Sequence, residues 1–301
     1  MIEFRAGFVA IIGRPNVGKS TLLNALLGQK IAAVSPRPQT TRRRQLGILT
    51  NPSAQLVFVD TPGIHLARHK LGVFLNQEAR ESLEGVDAIV FLVDLSVLPS
   101  DDDARIASLL TGLPRRTPVI LVANKMDLVA PDAGRENLAA YRALLGNEPH
   151  EIMVSASRGD GLPALLDLLI SKCRVRPPDY EEAQITDLYE REIAADLIRE
   201  AALIKLRDEV PHGIAVRVDE FSERANGTAY IAATLFVERQ SQKGIVIGEG
   251  GKMLKQIGSA ARREIEAMGG HKVFLELRVK LEKDWRNNEA VLKRLGYNIK
   301  H

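Results

Sequence analysis

Gly13-Arg14-Pro15-Asn16-Val17-Gly18-Lys19-Ser20 places two glycines, a lysine and a serine at the spacing of a loop that wraps phosphates. The glycines let backbone N–H groups turn inward onto a pyrophosphate. Lys19 supplies a mobile positive charge, the Ser20 hydroxyl suits Mg²⁺, and Thr21 follows as a further polar contact. A glycine turn without function is the plain alternative. The context argues against it, because Phe8 to Ile12 reads as a buried strand and Thr21 to Leu27 as a helix, the flanks that a phosphate loop requires.

Asn124-Lys125-Met126-Asp127 follows the apolar run Val119 to Ala123, which sets a carboxylate at the carboxyl end of a buried strand, where open α/β sheets bind ligands. Asp127 can accept both N1–H and N2–H of guanine, a donor pair that adenine lacks at that edge, so these residues imply GTP rather than ATP. Between the two motifs, Asp60-Thr61-Pro62-Gly63 offers Asp60 to the Mg²⁺ shell and the Gly63 N–H to a γ-phosphate. Ser155-Ala156-Ser157 would present the Ala156 N–H to guanine O6; this tripeptide carries weight only in this order.

The elements that must hold these residues alternate. Arg44 to Thr50 and Ala54 to Asp60 read as a hairpin, and helices are expected at Leu71 to Glu84, Asp101 to Leu110, Arg135 to Leu145 and Leu162 to Lys172. That alternation implies a mostly parallel sheet with helices on both faces. It stops at Arg174 to Tyr180, where Pro177-Pro178 breaks the chain. The expected division is therefore 1–173, a linker at 174–183, and 184–301.

With five signatures in order over about the first 175 residues, the chain resembles the translation-factor-related GTPases. The second signature is Gln39-Thr40-Thr41-Arg42, where a threonine closes over Mg²⁺ when the γ-phosphate is present. Two adjacent threonines leave the residues themselves ambiguous; the resemblance points to Thr41. Ile64 stands where many small GTPases carry a water-orienting glutamine, so slow intrinsic hydrolysis is expected. Asn16 resembles the asparagine by which related GTPases hold a K⁺ that substitutes for an arginine finger, although an asparagine also suits a turn. The candidate catalytic residues are Lys19, Thr41, Gly63 and Asn16. The loop histidines His65 and His69 are read as solvated rather than as general bases.

Composition is that of an ordinary globular chain, with 45% hydrophobic residues, 26% charged residues and a net charge of +3. The start carries no basic and apolar leader, and apolar runs such as Ala88 to Val93 are too short to span a bilayer. A cytoplasmic protein is expected. One cysteine, Cys173, excludes an internal disulfide and a thiolate cluster. From Arg239 onward there are fourteen Lys and Arg against seven Asp and Glu, a local excess that suits a phosphate backbone and equally a solvated basic face.

After the prolines, a long helix is expected at about Leu188 to Val210, with Ile193, Leu197, Ala201, Ile204 and Val210 on one stripe. Strands at Ile214 to Phe221 and Thr228 to Val237 follow. Gly248-Glu249-Gly250-Gly251 then forms a G-x-x-G loop between helical runs, before a strand at Lys272 to Lys280. This order resembles a type II KH domain, α+β in class, which grips single-stranded RNA at that loop. The resemblance implies contacts from Gly248 to Gly251, with Lys252 and Lys255 beyond, and bases lying beside Ile245, Val246 and Ile257. Glu249 departs from the basic or neutral residue usual there.

A GTPase domain joined to a type II KH domain resembles the Era family of ribosome-assembly GTPases, and the likeness extends to Phe274 to Trp285 and Leu292 to Tyr297. It implies GTP or GDP with Mg²⁺ as ligands, the 3′ region of small-subunit (16S) ribosomal RNA and the 30S subunit as partners, a monomer, and in some members loose association with the inner membrane. A GTPase that gates tRNA modification, or a translational factor, are the alternatives.

Overall fold

The computed structural model describes residues 3–35, 37, 40–64, 66–67, 69–113, 117–146, 149–207, 210–224 and 227–297; Gln39 and His65 of the sequence analysis lie outside them. The chain divides into two compact units, one made of 1–30, 41–66 and 75–187, the other of 31–40, 67–74 and 188–301.

In the first unit, β1 (Arg5–Ile12), β3 (Ala54–Asp60) and β4 (Ala88–Asp94) are apolar runs, and every residue of β3 and β4 is buried. Such strands need cover on both faces, which helices supply. The sheet runs β2-β3-β1-β4-β5-β6, with β2 (Gln45–Asn51), β5 (Val119–Asn124) and β6 (His150–Met153) completing the path. All neighbours are parallel except the β2–β3 hairpin. The helices are α1 (Lys19–Leu27), α2 (Lys70–Glu81), α3 (Asp101–Thr111), α4 (Pro131–Leu145) and α5 (Leu162–Lys172). Ser100 and Asp103 form a capping box at the start of α3, which fixes that helix against the sheet end.

The expected linker is part of this unit. Arg174 and Val175 form a short strand, β7, antiparallel to β1. Beyond it the Gln55 side chain receives the N–H groups of Asp179 and Tyr180, and Asp187 accepts the Leu46 N–H at 2.8 Å. Pro177-Pro178 ends the helical pattern without releasing the chain. The boundary consequently falls after Asp187.

The second unit has a three-stranded sheet in the order β10-β9-β8, formed by β8 (Ala215–Glu223), β9 (Ala229–Val237) and β10 (Val273–Leu281). β8 and β9 are antiparallel; β9 and β10 are parallel, joined through α7 (Gln240–Ile247) and α8 (Lys252–Gly269). The helix before the sheet, α6, spans Glu190–Lys205 and is shorter than expected, passing to extended backbone at Leu206. Ile193, Leu197 and Ala201 of its stripe reach the core, whereas Ile204 is 53% exposed. A final short helix, α9 (Glu289–Arg294), follows Trp285, whose fully buried indole donates to the Gly213 carbonyl at 2.8 Å. No helix among the described residues is long and apolar enough to cross a membrane.

Candidate functional site

The loop between β1 and α1 is shaped by Gly18, which caps the helix in the left-handed region at φ 103°. A Cβ there would lie 2.3 Å from Asn124 Nδ2, so both backbone conformation and space demand glycine. No side chain caps α1, and its positive end is left to backbone N–H groups, the arrangement that favours an anion. Lys19 is buried beneath the loop, and its Nζ donates to the carbonyls of Gly13 and Arg14, each at 3.0 Å. Burial pulls its pKa down to about 8, opposed by Asp60 and assisted by Arg14. Thr21, half-buried, sits in the first turn; Asn16, exposed, holds φ 64°. Asparagine tolerates that conformation better than most residues, so the turn itself accounts for part of its choice.

Asp60 ends β3 fully buried. Ser20 Oγ and Thr41 Oγ1 each donate to its Oδ2 at 3.2 Å, and the two hydroxyls are 2.9 Å apart. The Thr40 hydroxyl instead donates to the Arg37 carbonyl at 2.8 Å, so it is Thr41 that the structure brings to Ser20 and Asp60. Asp60 Oδ1 has no hydrogen-bond partner among the described residues, and burial raises the carboxyl to about 6 against the opposing pull of Lys19. Two hydroxyls and an unpartnered buried carboxylate oxygen are hard donors, a set that fits Mg²⁺. Gly63 lies close by: a Cβ on it would meet the Pro15 nitrogen at 2.9 Å and Lys19 Nζ at 3.1 Å. Ile64 turns away into the apolar core beside Ile12 and Ile89, where it cannot orient water.

At the end of β5, Asn124 ties three segments together. Its Nδ2 donates to the Val17 carbonyl at 2.8 Å, and its Oδ1 accepts the Ala156 N–H at 3.0 Å. The N–H expected to face guanine O6 is therefore engaged by Asn124 in this structure. Asp127 Oδ1 is buried with no hydrogen-bond partner among the described residues. A hydrogen bond from Ser155 holds the Asp127 carboxyl below its ordinary value, and Arg158 stands 3.5 Å from Oδ2, so the side chain is an ionised acceptor. Lys125 adopts φ 67° and reaches Asp94 at 2.5 Å.

Asp94 was not singled out by the sequence analysis. Burial pushes its carboxyl up, but the Lys125 and Ser96 hydrogen bonds outweigh this and hold it down. Arg14 of the phosphate loop joins the group, 3.7 Å from Asp94 and 3.1 Å from Asp103. An acidic residue closing the buried run Leu92-Val93 at the ligand end of the sheet was the available signal.

In the second unit, Gly248, Gly250 and Gly251 hold φ of 72°, 57° and 79° between α7 and α8. A Cβ on Gly248 would press on Met253 at 2.7 Å, so the turn cannot be made this tightly with a side chain. Glu249, Lys252 and Lys255 are exposed around it. The expectation for the bases needs correction: Val246 and Ile257 are fully buried in the core, and of the three expected residues only Ile245 is exposed, at 50%. Helix packing onto the sheet turns those two inward. The open groove, about 440 Å³, runs instead between α8 and β10, lined by Gly251, Leu254, Lys255, Gly258 and Arg262 on one side and by Phe274, Leu275 and Leu277 on the other.

Residues 8–125 match the family described as 50S ribosome-binding GTPase, and residues 209–286 match the KH domain. The fold and its two sites thus define a phosphate-loop GTPase carrying a KH domain. Along almost its whole length the chain is 49% identical to GTPase Era of Geotalea uraniireducens (strain Rf4) and 48% identical to GTPase Era of Geobacter metallireducens, in each case over 98% of both proteins. It is similar to the crystal structure of Era in complex with MgGDPNP and nucleotides 1506–1542 of 16S ribosomal RNA, with TM-score 0.93, 36% identity, and coverage of 98% of this chain and 100% of that one. The same figures hold for an Aquifex aeolicus Era variant bound to GDP·AlF4⁻. The chain belongs to the Era family of GTPases.

Proposed function

We propose that this chain is a GTP-operated switch that holds the single-stranded 3′ region of 16S ribosomal RNA in its KH groove and acts in maturation of the 30S subunit. The observation that carries the reading is the groove itself: a glycine turn that admits a close-approaching backbone, with Lys252 exposed beside it, Lys255 and Arg262 along the groove, and apolar walls from Leu254 and Leu277. The similar Era structure, with that RNA, supplies the ligand class. Similarity over 98% of both chains favours this over a GTPase gating tRNA modification or a translational factor.

In this reading Ser20, Thr41 and Asp60 would hold Mg²⁺, which when bound would neutralise charge developing on the nucleotide's phosphates. Lys19 exchanges the Gly13 and Arg14 carbonyls for the nucleotide's phosphates, Gly13 and Gly18 let the loop approach them, and the Gly63 N–H meets the γ-phosphate. Asp127 takes the guanine N1–H and N2–H, and Ala156 shares its N–H between Asn124 and O6. Asn16 provides a ligand for K⁺. The unit of 1–30, 41–66 and 75–187 is the nucleotide part, and the unit of 31–40, 67–74 and 188–301 is the RNA part. The protein acts as a monomer in the cytoplasm; peripheral association with the inner membrane rests on the family resemblance alone.

The test is the anisotropy of a labelled RNA corresponding to nucleotides 1506–1542, measured with a non-hydrolysable GTP analogue at one salt concentration. Wild type should bind, and Lys252→Glu with Lys255→Glu should lose most of the affinity, because the exposed charges face a phosphate backbone. Wild type that binds this RNA no better than an unrelated duplex would overturn the reading.

A further inference from the structure

β10 is an edge strand with two faces. Val273, Leu275, Leu277 and Val279 pack toward the core, which sets Phe274, Glu276 and Arg278 on the opposite face. Phe274 pairs in register with Tyr230 of β9. The two rings stack, with centroids 5.9 Å apart and planes at 23°, and the Arg224 guanidinium lies 4.8 Å from the Tyr230 centroid and 5.1 Å from that of Phe274. Phe274 nevertheless remains 53% exposed.

Two further facts distinguish this cluster from a surface aromatic pair. Phe274 also lines the groove between α8 and β10, so the stack begins where the groove ends. Tyr230 is held in place, its hydroxyl donating to Glu276 Oε2 at 2.9 Å, while Glu276 Oε1 is neutralised by Arg278 at 2.6 Å. Glu276 is thereby engaged, and the cation beside the rings is Arg224. A flat, exposed ring backed by a fixed second ring, with a guanidinium alongside, has the chemistry that stacks a nucleobase and meets the adjoining phosphate.

We propose that Phe274, Tyr230 and Arg224 form a base-stacking step that takes at least one nucleotide of single-stranded RNA beyond those held in the groove. The proposal rests on the reading of the groove as an RNA site. It adds to that reading a second contact zone on the open face of the sheet, which accepts any base, because every base offers a π-face.

The experiment compares nested single-stranded RNAs from the 1506–1542 stretch: one of about four nucleotides, the length a KH groove clamps, and versions extended at either end to about eight. Phe274→Leu keeps an apolar side chain and removes the π-face; Arg224→Ala removes the cation. For wild type, one of the extensions should tighten binding about tenfold, and Phe274→Leu should abolish that gain while leaving the short RNA within about twofold. 2-Aminopurine placed in the extension should be quenched by wild type and not by Phe274→Leu, a signature that a role confined to bracing the β8–β9 hairpin would not produce. Phe274→Leu that keeps both the gain and the quenching overturns the proposal, as does a wild type that binds the short RNA but gains nothing from either extension. A wild type that binds neither RNA overturns the groove reading together with this one, whereas loss of short-RNA binding in the Lys252→Glu, Lys255→Glu protein alone shows the groove reading to be sound.

Discussion

Arg199, buried on α6, donates from its guanidinium to the backbone carbonyl of Thr40 and pairs with Asp196 at 3.2 Å. Thr40 immediately precedes Thr41, whose hydroxyl stands 2.9 Å from Ser20 and 3.2 Å from Asp60. Arg199 and Thr40 belong to one unit and Thr41 to the other, so this hydrogen bond holds the backbone one residue before the hydroxyl expected to serve the metal site. Two ligands that bias one such element are linked reciprocally.

Arg199→Lys keeps the charge but loses the planar fork. The variant should keep GDP affinity within about threefold while the ratio of RNA affinities between the two nucleotide states falls toward one. The check is RNA titration in both states, with GDP affinity measured in parallel.

Guanine selectivity should reside in Asp127. Its buried oxygen lacks a partner among the described residues, and Ser155 keeps the carboxylate ionised. Asp127→Asn should weaken GTP on the order of a thousandfold and bring xanthosine triphosphate to comparable affinity, because the amide offers a donor where guanine also offers one. Competition binding with the two nucleotides reads both changes; unaltered preference for GTP would remove the assignment.

The two carboxylates of the nucleotide site should separate with pH. Asp60, raised to about 6 from its ordinary 3.8, favours the protonated form in the fold. Its contribution to the stability of the nucleotide-free protein is complete below about pH 3.8 and is lost as pH rises through about 6. Mg²⁺ needs the ionised form, so the tightening of GDP by Mg²⁺ should fade between about pH 7 and pH 5, and Asp60→Asn should show little tightening at either end. Asp127, held below its ordinary value, stays ionised throughout that window, and guanine selectivity should persist. GDP titrations with and without Mg²⁺ across the range distinguish the two.

Hydrolysis should be slow and sensitive to the monovalent cation. Ile64 is inserted in the core and cannot position water, while Asn16 faces solvent in the loop. Single-turnover rates in KCl should exceed those in NaCl at equal ionic strength by at least about tenfold, a fraction of what an arginine finger supplies. Equal rates would dismiss Asn16 as a cation ligand and leave the nucleotide site untouched.

What could be read from the residues was what backbone geometry imposes at fixed spacing. Gly13 to Ser20 and Asn124 to Asp127 carry their structural reasons in their own types, and the strands beside them were legible as apolar runs. Facing was harder. Val246 and Ile257 are apolar residues close to an RNA loop, and only the packing of α7 and α8 onto the sheet shows them turned into the core. The groove needs β10 beside α8, and the Tyr230–Phe274 stack needs the β9–β10 register, relationships between residues 44 apart in sequence. The stretch 174–183 looked like a linker because prolines announce a break in helix, while partners that hold the chain here and just beyond, Gln55 and Leu46 among them, lie far upstream.

The central claim is that nucleotide state governs the RNA grip. It is tested most directly by the affinity of wild type for the RNA of nucleotides 1506–1542 with GDP and with a non-hydrolysable GTP analogue, in one buffer at one salt concentration, since phosphate contacts make affinity salt-dependent. Binding at least about tenfold tighter with the analogue, matched by an equal tightening of the analogue when RNA is present, is the result expected from linkage. RNA affinity that is the same in both nucleotide states would contradict it.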